Sequence, residues 1–115
     1  MSKIQAIKTD QFDQEVLQSS FPVLVDFWAP WCNPCLKLAP ELEAINEILG
    51  DKVKIVKIDV DEEPEIAEKY GVQGIPNMSL FKEGKVVDQM IGFAPRKQIN
   101  TMLAKHISGD TNEII

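Results

Sequence analysis

VLVDFWAPWCNPCLKLAP, residues 23–40, changes character twice along its length. It opens almost continuously apolar, and residues 22–28, PVLVDFW, suit a strand covered on both faces, as in an α/β sheet. The chain's only two cysteines follow, Cys32 and Cys35, three positions apart. Beyond them Leu38, Leu42, Ile45 and Leu49 recur at helical spacing, and Gly50 is placed to end that helix. Two thiols at a strand-to-helix junction have three uses: they hold a metal, staple the fold or exchange electrons.

Working outward, the other segments alternate in the same way. Residues 4–7, IQAI, read as a short strand, and Thr9 or Asp10 caps a helix through about Leu17 with Phe12, Val16 and Leu17 on one face. VKIVKIDV, residues 53–60, is the next buried strand. DEEPEIAEKYG follows as a helix with Pro64 at its start and Gly71 after its end. NMSLF (77–81) and VVDQMI (86–91) form a hairpin around Lys82-Glu83-Gly84-Lys85. The last helix begins near Pro95 and turns Ile99, Met102, Leu103 and Ile107 inward. The order βαβαβαββα implies a mixed sheet with helices on both faces. Residues 1–107 are expected to make one domain, and 108–115, SGDTNEII, a flexible tail.

Bulk composition narrows the use of the cysteines. A chain of 115 residues buries roughly two-thirds of its unfolded surface and needs no staple. A disulfide between positions 32 and 35 closes so small a loop that it constrains the unfolded chain little. The net charge of −6 argues against binding a phosphate backbone, so no nucleic-acid partner is expected. MSKIQAIKTDQF lacks a signal-peptide core, and no apolar run is long enough to span a bilayer. The expectation is therefore a cytoplasmic protein with no membrane partner, where paired cysteines are more often catalytic or metal-binding than structural.

A closed zinc site needs four ligands. This chain offers two cysteines and His106 at the far end, which reads as an ordinary surface or boundary residue. DVDEEPE reads as a solvated loop and helix start, so no metal is expected; an iron–sulfur cluster bridging two chains is left open. The redox use fits better. Cys32 stands where a strand ends and a long helix begins, so unpaired N–H groups and the helix dipole can stabilise its thiolate. Cys35 lies one turn later on the same face. Pro34 suits the first turn, where its missing N–H does no harm. Trp31, beside a loop proline and the thiol, is expected at the surface, Trp28 to pack beneath the site, and Pro40 to bend its helix.

Residues 23–40, KIVKIDVDEEPEIAEKYGVQGIPN and the FKEGK hairpin together resemble the thioredoxin family, in the family's order, from about residue 5 to residue 107. A Cys-x-x-Cys alone is a weak signal. The aspartate-bearing strand, the tryptophan pair, Ile75-Pro76 and the hairpin glycine make it specific. The resemblance implies a thioredoxin fold of the α/β class, a five-stranded mixed central sheet flanked by four helices, and a protein-disulfide reductase. It implies Cys32 as nucleophile and Cys35 as the thiol that resolves the mixed disulfide, the two forming the redox-active disulfide, with no other cofactor. Asp26 would lie beneath them and move a proton to and from Cys35 through water, with Lys57 as its charge partner. Desolvation should raise the Asp26 pKa while Lys57 opposes the shift; a purely structural Asp–Lys pair is the alternative.

Pro76 resembles the family's proline that follows a cis bond. That isomer would leave the Ile75 backbone free to pair with an extended substrate. Trp31, Asn33, Pro34, Val60, Gly92 and Phe93 would complete the docking patch with Ile75 and Pro76. Three positions depart from the family. Asn33 stands where glycine is usual, Asn77 where threonine is usual, and Phe93 where alanine is common. The implied partners are a flavin-dependent thioredoxin reductase and disulfide-bearing proteins, and a monomer is expected. Two alternatives are a dedicated oxidant or isomerase, which needs an oxidising compartment, and a redox-inert binding module. The intact cysteines, Asp26 and Pro76 argue against the second.

Overall fold

A computed structural model describes residues 3–107, so the expected tail at 108–115 lies outside the described residues. Strand β2, Val23–Trp28, is central and buried almost throughout. Strand β3, Lys54–Asp59, lies parallel on one side of it, and β4, Asn77–Lys82, antiparallel on the other. The short β1, Gln5–Ala6, extends the parallel side, and β5, Lys85–Ile91, the antiparallel side, giving the order β1-β3-β2-β4-β5.

Alternation along β2 builds two cores from one strand. Leu24 joins Ile55, Met78 and Leu80 on the face covered by α1, Asn33–Leu49, and α3, Arg96–Ala104. Val23, Val25 and Phe27 join Val56 and Phe81 on the other face, under α2, Pro64–Lys69, and the helical segment that opens the chain. The expected helical stripes are the buried ones: Leu38, Leu42, Ile45 and Leu49 on α1, and Ile99, Met102 and Leu103 on α3. Helix α1 runs unbroken through Pro40.

Turn chemistry accounts for most boundaries. Glu83 and Gly84 both have positive φ, 54° and 79°, which suits a two-residue hairpin turn that keeps the strand twist. Helix α2 ends at Gly71, φ 66°, where Gly71 N–H donates to Glu68 O at 3.0 Å and Val72 N–H to Ala67 O at 2.9 Å. Those two bonds and the left-handed glycine make a Schellman motif. Between Leu80 and Phe81 the β4–β5 register slips by one residue, a β-bulge on β5.

Two expectations are corrected. The opening segment is not one capped α-helix but a 3-10 turn, Thr9–Gln11, followed by a π turn, Asp13–Leu17, closed by Gln18 N–H to Asp13 O at 2.9 Å. Its first N–H groups are met by neither Thr9 nor Asp10. Lys8 N–H donates to Gln11 Oε1 and Thr9 N–H to Glu63 Oε1, each at 2.8 Å. Packing overrides helix propensity here: Phe12 completes an aromatic triad with Tyr70 and Phe81, at ring-centroid distances of 5.3 and 5.4 Å from them. At the end of α1, Gly50 keeps a right-handed φ of −60°. Glycine is needed there for room, since a Cβ would lie 2.5 Å from Asn46 O.

Candidate active site

The apolar run of β2 ends at Trp28, and the chain turns through Ala29 before α1 begins. Cys32 is the N-cap of that 17-residue helix. Its N–H donates to Ala29 O at 3.1 Å, and Cys35 N–H donates to Cys32 Sγ at 3.2 Å. A sulfur at an N-cap therefore does what a serine oxygen does elsewhere, taking up an otherwise unpaired helix N–H. Pro34 occupies the first turn without losing a needed donor. Asn33 is exposed, and its amide makes no hydrogen bond to the sulfur.

Cys32 and Cys35 are joined as a disulfide, with Cα atoms 5.2 Å apart. The redox use needs a sulfur that a partner can reach, yet in this oxidised form Cys32 is 4% exposed and Cys35 2%. Ala29, Trp28, Val60 and Ile75 pack around them and account for the cover.

Beside the sulfurs the Ile75-Pro76 bond is cis, and Ile75 O lies 3.8 Å from Cys32 Sγ. Gly92, with φ 90°, donates its N–H to Pro76 O at 2.7 Å, which ties the loop carrying Phe93 to this edge. Trp31 is 66% exposed, as expected of a surface tryptophan. Its indole N–H donates to Asp61 Oδ2 at 2.6 Å, and Asp61 N–H in turn donates to Asp59 Oδ1 at 2.9 Å. The acidic loop after β3 is thus a structured support and not merely a solvated one. Charge pattern alone hides this. The usable signal was the unpaired N–H donor of an exposed tryptophan.

Asp26, two residues before Trp28 on β2, is 5% exposed and opposite Lys57 in the β2–β3 register. Burial pushes its carboxyl up to about 7, against the attraction of Lys57, and its Oδ1 has no hydrogen-bond partner. The tight Asp–Lys pair of the structural alternative does not form; Lys57 Nζ instead sits over the Trp28 ring, 5.3 Å from its centroid. The buried Trp28 Nε1 is also without a partner. Cys32, Cys35, Val60 and Ile75 therefore share one cluster. Gly92 is bonded to Pro76 at its edge, and Asp26 and Lys57 face each other on β2 and β3.

The family model described as Thioredoxin matches residues 3–105. The chain belongs to the thioredoxin family. Thioredoxin 1 of Synechococcus elongatus is 46% identical over 107 residues, 93% of this chain and all of that protein. Thioredoxin 1 of Nostoc is 43% identical over the same shares of both chains. Thioredoxin of Bacillus subtilis is 52% identical over 85 residues, 74% of this chain and 82% of that one. Family and cysteine pair together make the protein a thiol-disulfide oxidoreductase with the thioredoxin fold. Thioredoxin chemistry resides in the two sulfurs. Among the described residues no cluster of three or more His, Cys, Asp or Glu is placed to hold a metal, and no helix is long and apolar enough to cross a membrane.

Proposed function

We propose that the protein is a monomeric cytoplasmic reductant of protein disulfides, with its activity carried by residues 1–107. The observation that supports it most is the Cys35 N–H donated to Cys32 Sγ at the N-terminus of α1, a setting that favours a thiolate at Cys32. In the reduced protein the Cys32 thiolate attacks one sulfur of a substrate disulfide. That S–S bond breaks, and the other substrate sulfur leaves with the electron pair and takes up a proton. Asp26 accepts the Cys35 proton, and Cys35 attacks Cys32 Sγ. The second substrate sulfur is released, is protonated, and leaves the Cys32–Cys35 disulfide behind. The substrate gains two electrons and two protons, and a flavin-dependent thioredoxin reductase returns them to the pair.

Trp31, Asn33, Pro34, Val60, Ile75, Pro76, Gly92 and Phe93 form the surface on which the substrate lies, with the Ile75 backbone pairing an extended segment. Lys57 limits how far the Asp26 carboxyl is raised. The test is reduction of insulin, with a flavin-dependent reductase supplying electrons. Cys32→Ser should abolish it, and Cys35→Ser should accumulate a covalent protein–substrate disulfide visible on a non-reducing gel. Wild-type turnover by Cys35→Ser would overturn the two-thiol mechanism.

A further inference from the structure

Phe93 follows the glycine tied to Pro76, whose neighbour Ile75 packs against the disulfide, and keeps 40% of its surface exposed. One ring face is taken by Lys37, whose Nζ stands 5.2 Å from the ring centroid. Cation–π contact holds an ammonium in place but uses none of its three N–H donors. Lys37 is exposed, and no carboxylate among the described residues pairs with it. Glu41, one helical turn on, is the obvious candidate, yet its Oε1 accepts from Arg96 N–H at 2.8 Å. Charge around the site is divided: the carboxylate of Asp61 is held at Trp31, and an unsatisfied cation is held at Phe93. In a chain of net charge −6, a positioned cation two residues beyond Cys35 is a local reversal of sign.

We propose that Lys37 and Phe93 form a specificity subsite that selects protein disulfides carrying a carboxylate close in sequence to the attacked cysteine. The subsite rests on the reductase reading above and adds to it which substrates are preferred. Phe93 covers apolar surface next to the substrate cysteine and fixes the ammonium. Lys37 supplies the charge that an acidic neighbour pairs with. Exposed ion pairs are weak, so the discrimination is modest and sensitive to salt. A basic segment is disfavoured at the same place by like charge.

The experiment uses disulfide-linked peptide pairs in which Glu or Lys is placed in turn on the two residues before and after one cysteine. Dithiothreitol recycles the full-length protein, so no reductase is involved. At low salt, at least one position should show roughly three- to five-fold higher kcat/KM for Glu than for Lys. The ratio should fall toward one at about 0.5 M salt, as screening requires. Lys37→Glu should invert the preference at that position. Phe93→Leu, which keeps apolar bulk but loses the ring face, should weaken it. Ratios that stay the same at every position in Lys37→Glu overturn the subsite. Failure to reduce any of the peptides overturns the reductase reading and the subsite with it.

Discussion

Burial lifts the Asp26 carboxyl from 3.8 to about 7, so the folded protein holds a proton there that the unfolded chain has released. Stability on this account is fullest below about pH 4 and is lost as pH rises toward 7. The whole shift corresponds to at most roughly 4 kcal/mol at 1.36 kcal/mol per pH unit. Asp26→Ala should therefore be more stable than the parent at pH 8, by about 1–3 kcal/mol after the cost of the small cavity. That gain should shrink toward zero near pH 4 in urea titrations, while disulfide reduction slows most near neutral pH. A lone carboxylate inside VLVDFW made this residue legible in advance. Asn33 was not legible in the same way. The donor to Cys32 Sγ is the Cys35 backbone N–H, which a change of side chain at position 33 leaves intact. Asn33→Gly should accordingly keep its glutathione equilibrium within about twofold of the parent, while losing about 0.5 kcal/mol from a looser helix start. A glutathione titration and a urea melt check the two parts separately. The Trp31–Asp61 bond lay beyond sequence reading because its partners are thirty residues apart, and only the fold brings them together.

Elements whose ends are set by backbone chemistry were readable, and those set by packing were not. Gly84 in the hairpin turn and the Gly71 stop follow from glycine's tolerance of positive φ, a property of the sequence itself, whereas Glu83 is held at φ 54° by the turn. The π turn at Asp13–Leu17 depends on where Phe12 must sit against Tyr70 and Phe81, which no local pattern records. His106 falls in the second group. Expected to be an ordinary boundary residue, it sits just beyond α3 and brings Nε2 within 2.8 Å of Asp88 Oδ2 on β5. The same residue's carbonyl accepts from Lys82 Nζ at 2.8 Å, so one position ties the helix end to both strands of the hairpin. The His106 hydrogen bond holds the Asp88 carboxyl below its ordinary range. Its contribution is present above the unfolded carboxylate pKa and disappears as pH falls through the folded one. His106→Ala should cost up to about 1 kcal/mol near pH 6, discounted for a partly exposed pair. The loss should fade below about pH 4, and urea unfolding at both pH values measures it.

At the scale of the molecule, β2 is the central strand: it feeds both cores, as β3 and β4 do beside it, and leads into the active site. The two cores therefore share a common support and should not melt apart. Leu42→Ala, from the α1 face, and Phe27→Ala, from the α2 face, should each cost about 2–5 kcal/mol. Both should still unfold in a single transition, by near-ultraviolet and far-ultraviolet circular dichroism alike; separate transitions would show independent cores. The strand order itself came only with the fold, while a mixed sheet with helices on both faces could be anticipated from the alternation of apolar runs and helical stripes. The bulge between Leu80 and Phe81 could not, since nothing in VVDQMI marks which residue is the extra one. Yet the bulge governs how the sheet meets other chains. An open sheet edge carries unpaired N–H and C=O groups that any extended strand can meet. Of its two open sheet margins, β1 is only two residues long, and β5 is distorted midway by the bulge. Both margins therefore present an incoming strand with only a short regular edge, which discourages edge-to-edge pairing.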